Sequence, residues 1–201
     1  NNLASDNGAT VELFAQWNIE TYSITYELNE GTQGTGAVDT YNVTTATFAL
    51  PTPSRTGYTF GGWYTASDFS GSAVTQIAQG TTGNKTYYAK WNAIGYTISY
   101  NLNGGTVSTA NPTTYNITSA AITLNNPTKT GYTFKGWTGS NGNTAQTTVT
   151  IAAGSTGDKN FTANWTANKY YVKYNANNGT GTMSDSEHTY DIAKNLTANS
   201  F

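Results

Sequence analysis

The chain has 201 residues, of which 10% are charged, and a formal net charge of −2. That is far below the ~25% charged residues of an average soluble protein, so the amides and hydroxyls of Asn, Thr, Ser and Tyr must keep the surface wet. The balance excludes a basic face for nucleic acid or an anionic membrane, and no stretch reaches the ~20 apolar residues of a membrane span.

Cysteine is absent. Small secreted domains usually carry disulfides, but many surface proteins of Gram-positive bacteria avoid cysteine, and the Thr/Asn-rich surface fits that setting. The chain opens on Asn1-Asn2-Leu3 with neither an initiator Met nor a leader pattern, which reads as an interior or processed piece. Hydrophobic content is 36%. It is concentrated in Tyr, Trp, Phe, Ile and Val, residues that suit a pleated, half-buried surface.

In chain order, Leu13-Phe14-Ala15-Gln16-Trp17 alternates large and small and reads as a strand. Tyr22-Ser23-Ile24-Thr25-Tyr26-Glu27-Leu28 alternates apolar with polar, predicting a strand with one wet face. Asn29-Glu30-Gly31 supplies turn chemistry. Tyr41–Val43 with Phe48–Leu50 reads as one bent strand or two short ones, ended by Pro53, which has no N–H for a ladder. Then comes Thr56-Gly57-Tyr58-Thr59-Phe60-Gly61-Gly62-Trp63. It predicts a turn, a short strand and a bend that drops a large ring into a small core. Ala73, Val74 and Ile77 fall at helical spacing over Asp68–Ala78, which allows a helical turn or two. An irregular connection that pins one aliphatic into the core is the alternative. Tyr87-Tyr88-Ala89-Lys90-Trp91 closes the unit as a strand.

The same succession then starts again. Trp17, Trp91 and Trp165 lie 74 residues apart, as do Tyr26, Tyr100 and Tyr174. The octapeptide returns as Thr130-Gly131-Tyr132-Thr133-Phe134-Lys135-Gly136-Trp137. Tyr41 is followed by Tyr115 at 74 and Tyr190 at 75, so the last copy carries one extra residue. After Trp137 the copies diverge: Thr147–Ile151 alternates like a strand, and only Leu3, Ile77 and Ile151 stay in register. The units are the end of one repeat (1–19), complete repeats at 20–93 and 94–167, and the start of another at 168–201. Four residues link Trp91 to the next strand, with no flexible Gly/Ser tract. The modules should therefore be closely coupled and form an elongated rod.

These residues resemble a known family. Tyr-Thr-Ile-Ser-Tyr-Asn-Leu-Asn-Gly-Gly, Pro-Thr-Lys-Thr-Gly-Tyr-Thr-Phe-x-Gly-Trp and Tyr-Tyr-Ala-Lys-Trp together are similar to the Listeria–Bacteroides repeat, the B-repeat module of internalin-type surface proteins. The resemblance covers the whole chain. It implies a mainly β, β-grasp-like small module with little helix, strung in tandem in large secreted or wall-attached bacterial proteins. The second copy departs from the pattern over 138–152, where the family has an Asp-Phe stretch like Asp68-Phe69, so the resemblance gives no helix there.

Chemistry is sparse. His188 is the only histidine. Asp185 and Glu187 are its neighbours in what reads as a polar turn, and no cluster has zinc-ligand spacing. Asp6-Asn7-Gly8 lacks the ligand series of a calcium loop. Gly31–Gly36 and Gly179–Gly181 lack the Lys-Ser/Thr of a phosphate loop. No catalytic, metal or cofactor residues are assigned. Gly57, Tyr58, Phe60, Trp63, Trp91, Gly131, Tyr132, Phe134, Trp137 and Trp165 are read as the core signature. Tyr64, Tyr88 and Tyr171 fall on the opposite phase and are the candidate exposed contact aromatics. The Asn-x-Ser/Thr sequons at Asn42, Asn84, Asn116 and Asn160 arise from composition.

The expected function is a non-enzymatic stalk or spacer of a bacterial cell-surface or secreted protein, whose partners are neighbouring repeats of the same chain. The alternatives are an adhesion module for a host protein or glycan, and a subunit of an extracellular filament. Head-to-tail completion of the partial copies would leave positions 53–74 without a counterpart, so an excerpt from a longer array fits better.

Overall fold

The computed structural model describes residues 7–8 and 10–201; Leu3 and Asp6 lie outside the described residues. Every regular element among the described residues is a strand, fifteen in all. The chain divides into two compact units, Asn1–Asn92 and Ala93–Phe201.

In the first unit, β1 (Tyr22–Glu27), β2 (Thr40–Tyr41), β4 (Tyr58–Tyr64) and β6 (Lys85–Ala93) form a sheet in the order β2-β1-β6-β4. β1 and β2 are antiparallel, whereas β1 and β6, the first and last strands, are parallel. A parallel neighbour requires a long crossover. Here it carries β3 (Phe48–Ala49) and β5 (Gln76–Ile77), which pair as a separate two-stranded ladder. Two short strands replace one bent strand because Asn42 folds the chain between them. Its Oδ1 accepts the amides of Thr44 and Thr45 at 2.9 and 3.1 Å, an Asx-type turn.

The second unit repeats this plan. β7 (Tyr96–Asn101), β8 (Thr114–Tyr115), β10 (Tyr132–Gly139), β11 (Gly142–Gln146) and β13 (Lys159–Ala167) form the order β11-β10-β13-β7-β8. β9 (Ile122–Thr123) and β12 (Thr150–Ile151) make the second ladder.

The two cores share seven positions, and Val149 joins the second. Ile24, Tyr41, Leu50, Trp63, Ile77, Tyr87 and Ala89 in the first become Ile98, Tyr115, Leu124, Trp137, Ile151, Phe161 and Ala163 in the second. Trp63 (1% exposed) and Trp137 (0%) are the largest fully buried side chains. In the second unit the octapeptide places Trp137 by a bulge. Phe134 and Trp137 are three residues apart, so strict alternation would send them to opposite faces. The pairing of β10 with β13 shifts register between Phe134 and Gly136, and the extra residue brings both rings to one side. They meet edge-on at 5.6 Å, as Phe60 and Trp63 do at 5.4 Å.

Several expectations are corrected. No helix forms over 68–78; Val74 bridges to Trp63, and Gln76–Ile77 is strand. In the second copy a β10–β11 hairpin, which the alternation of 147–151 did not foreshadow, occupies this region. Ile77 and Ile151 are both buried. Leu13–Trp17 is not a strand, and Leu13, Phe14 and Trp17 are 79%, 81% and 89% exposed. The equivalent β6 and β13 are sandwiched between two strands that precede them in the chain, and among the described residues 10–17 pairs with no strand. Asp185–His188 is not a turn: Ser186–Thr189 is β15, paired with β14 (Lys169–Val172). That hairpin is two residues out of register with the complete copies. Tyr170 opposes His188, whereas its counterparts Tyr22 and Tyr96 oppose Tyr41 and Tyr115.

Candidate functional site

The outer face of β4 and β6 carries Tyr64, whose ring meets Phe69 edge-on at 5.8 Å with the Lys90 ammonium 5.2 Å from its centre. Tyr64 is half-buried under these neighbours, so it caps the sheet rather than offering an open platform. In the second unit Thr138 and Asn164 hold the same positions and bond each other at 3.0 Å. Tyr88 is half-buried on β6, paired with Glu27 across the ladder. Tyr171 is 60% exposed and donates to Glu187 at 2.9 Å. The three tyrosines are not brought together at one site.

Tyr58 and Tyr132 are half-buried and lie outside both core clusters. Each tyrosine shares a face with the Phe two residues on, but it opens its strand, β4 or β10, and so sits at the rim of the sheet. There a cation lies 4.1 Å over each ring, Arg55 on Tyr58 and Lys129 on Tyr132. Phe60, Trp91, Phe134 and Trp165 are partly buried against the cores.

The rim around Tyr132 also receives the start of the next copy. Asn168 donates its amide to the Gly131 carbonyl at 2.9 Å and accepts from Thr133 Oγ1 at 2.7 Å. Tyr132 donates to Asp191 at 2.9 Å, and its ring meets Tyr190 edge-on at 5.5 Å. The Asp191 carboxylate acting on this hydroxyl raises the Tyr132 pKa above 10.0. A Cβ on Gly131, which has φ +77°, would lie 2.4 Å from three atoms of the Tyr190 ring, so glycine is required there on two counts. Sequence reasoning used Tyr190 only for its 75-residue step and did not single out Asn168 or Asp191.

Ser186 Oγ lies 2.9 Å from both His188 Nε2 and Tyr174 OH. Residues two apart on a strand share a face, so Glu187 points away, and it is held by Lys169 at 2.7 Å. These Lys169 and Tyr171 hydrogen bonds depress the Glu187 pKa below 4.5. Ser186 is itself buried. A nucleophile needs open approach and its base an orienting acid; here the trio ties β15 to Tyr174, two residues beyond β14. Beside the β10–β11 hairpin, a cleft of about 270 Å³ is lined by Asn141, Thr150, Ser155, Lys159 and Phe161 among others. The Lys159 ammonium there is bound to the Thr156 carbonyl at 2.8 Å. Among the described residues no group of three potential metal ligands forms, and no helix is long and apolar enough to cross a membrane.

Comparison with known proteins places these features. Residues 22–90 and 96–164 each match the model of the Listeria-Bacteroides repeat domain. A protein of Evansella cellulosilytica whose name describes it as a Gly-rich membrane protein is 33% identical over 178 residues, covering 84% of this chain and 19% of its own length. A second protein of that organism, named as a membrane protein, is 30% identical over 176 residues, covering 83% of this chain and 24% of itself. The chain thus spans less than a quarter of these relatives' length. No solved structure matches it.

Proposed function

Because the chain belongs to the Listeria–Bacteroides repeat family, we propose that it is a non-enzymatic spacer: a run of β-grasp-like modules, 20–93 and 94–167, in a bacterial surface protein. The observation that carries this is the contrast between inside and outside. Seven core positions recur at 74-residue spacing, while outward positions change chemistry, Tyr64 to Thr138, Tyr88 to Thr162 and Lys90 to Asn164. A spacer tolerates such drift, and a recognition surface used by every copy does not. The β2-β1-β6-β4 order with a central parallel pair supports the β-grasp-like description, without its helix. The relatives' names support a setting at a membrane; the outer side of the cell is part of the proposal.

Small-angle scattering on chains of two, four and six modules tests the spacer. The maximum dimension is expected to grow in proportion to module number. A compact envelope at six modules would overturn it. Specific retention on host glycans or proteins, lost on replacing Tyr64, Tyr88 or Tyr171 by Ala, would favour adhesion instead.

A further inference from the structure

We propose that each module is a mechanical clamp, built to resist tension applied along the chain; this rests on the spacer reading and adds load to it. The first and last strands of a module are hydrogen-bonded neighbours and run parallel. Ile24–Glu27 lie opposite Lys85–Tyr88, and Ile98–Asn101 opposite Lys159–Thr162. The chain enters at the start of β1 and leaves at the end of β6. Tension on the two ends therefore pulls these strands past each other along their own direction. Ladder hydrogen bonds lie across the strands, so the whole set is sheared at once. Antiparallel neighbours pulled at one shared end would instead open one bond after another.

Side chains tie the same two strands beyond the ladder. In the first module the Ser23 amide donates to Asn84 Oδ1 at 2.9 Å, below the paired stretch. Above it, Asn29 Nδ2 donates to the Ala89 carbonyl and Trp91 Nε1 to the Leu28 carbonyl, both at 2.9 Å. The second module repeats each tie at the equivalent position: Thr97 to Asp158 at 2.8 Å, Asn103 to Ala163 at 2.8 Å and Trp165 to Leu102 at 3.0 Å. Outward surfaces drift between copies, yet these cross-links recur at both ends of the clamp.

Single-molecule force spectroscopy on the 201-residue chain tests this. Pulled from its ends, the chain is expected to show two high-force events, each releasing on the order of 200 Å at ~3.5 Å per extended residue. The absence of cysteine allows a second geometry, with handles at Thr133→Cys and Thr166→Cys. These residues are cross-strand neighbours on antiparallel β10 and β13. Pulled there, the 94–167 module is expected to open at a clearly lower force. Trp165→Phe keeps an aromatic ring but removes one tie, and should lower the end-pulled force. Trp137→Phe removes the 3.0 Å bond to Asn126 Oδ1, which does not cross the clamp, and should leave the force higher than in Trp165→Phe at matched loss of Tm. Equal forces in the two geometries, or equal effects of the two Trp substitutions, would overturn the clamp. Neither result bears on whether module number sets length at rest, which scattering decides.

Discussion

Position 158 is Asp where position 84 is Asn, and both accept the same backbone hydrogen bond from the first strand. The Thr97 amide stabilises the charged form of Asp158 and holds its carboxyl below the usual 3.8. A folded pKa below the unfolded one means that the stabilisation is whole above the unfolded value. It is lost as pH falls through the folded one. The 94–167 module should therefore weaken below about pH 3.8 through this bond, whereas Asn84 gives its module no such dependence. An NMR titration checks this: the Thr97 amide should shift with the Asp158 carboxyl while Ser23 stays flat at that inflection. Parallel movement of both amides would count against it. Gly105 is a second residue with a plain physical demand. A Cβ there would sit 2.5 Å from the Trp165 ring and 3.1 Å from the Thr128 carbonyl. Gly105→Ala is expected to cost the module about 1–3 kcal/mol of overpacking, read from a denaturant melt; a loss within ~0.5 kcal/mol, the range of a surface change, would refute the close fit.

At the scale of elements, what was legible follows from where the information sits. The strands of each complete copy announce themselves because Tyr22–Leu28 and Tyr87–Trp91 alternate strictly and one face is buried. The bulge was half visible: Gly-Trp marked a bend, but only the register shift shows why Phe134 and Trp137 share a side. Two things were out of reach. Ala73, Val74 and Ile77 match a helix in spacing, yet three apolar residues cannot outweigh a Trp63 backbone that offers a bridge partner. Leu13–Trp17 carries a strand pattern, but a strand is a property of its neighbours, and in the equivalents 74 and 148 residues on these are supplied by other parts of each copy. Trp17 should accordingly behave as a solvated indole. Acrylamide is expected to quench a red-shifted component of the emission that disappears in Trp17→Phe. Unchanged quenching in that variant would place Trp17 under cover. The contact aromatics illustrate the remaining gap: phase alone put Tyr64 outward, but only the structure shows Phe69 and Lys90 on it.

For the whole molecule, the two cores share no residue. Modules of this size bury only roughly 60% of their unfolded surface and have about 5–15 kcal/mol to lose. Truncating a buried Trp costs about 3–5 kcal/mol. Trp63→Ala is expected to abolish the melting transition of 20–93 and leave that of 94–167 in place, with Trp137→Ala doing the reverse. Calorimetry showing a single transition shifted equally by either variant would refute separate cores. The same self-containment has a genetic consequence. Each core closes within its own copy, so an in-frame gain or loss of one 74-residue unit cuts through none of them. Unequal recombination between copies can then lengthen or shorten the array, and on the spacer reading proposed above this makes reach a trait that populations can vary copy by copy.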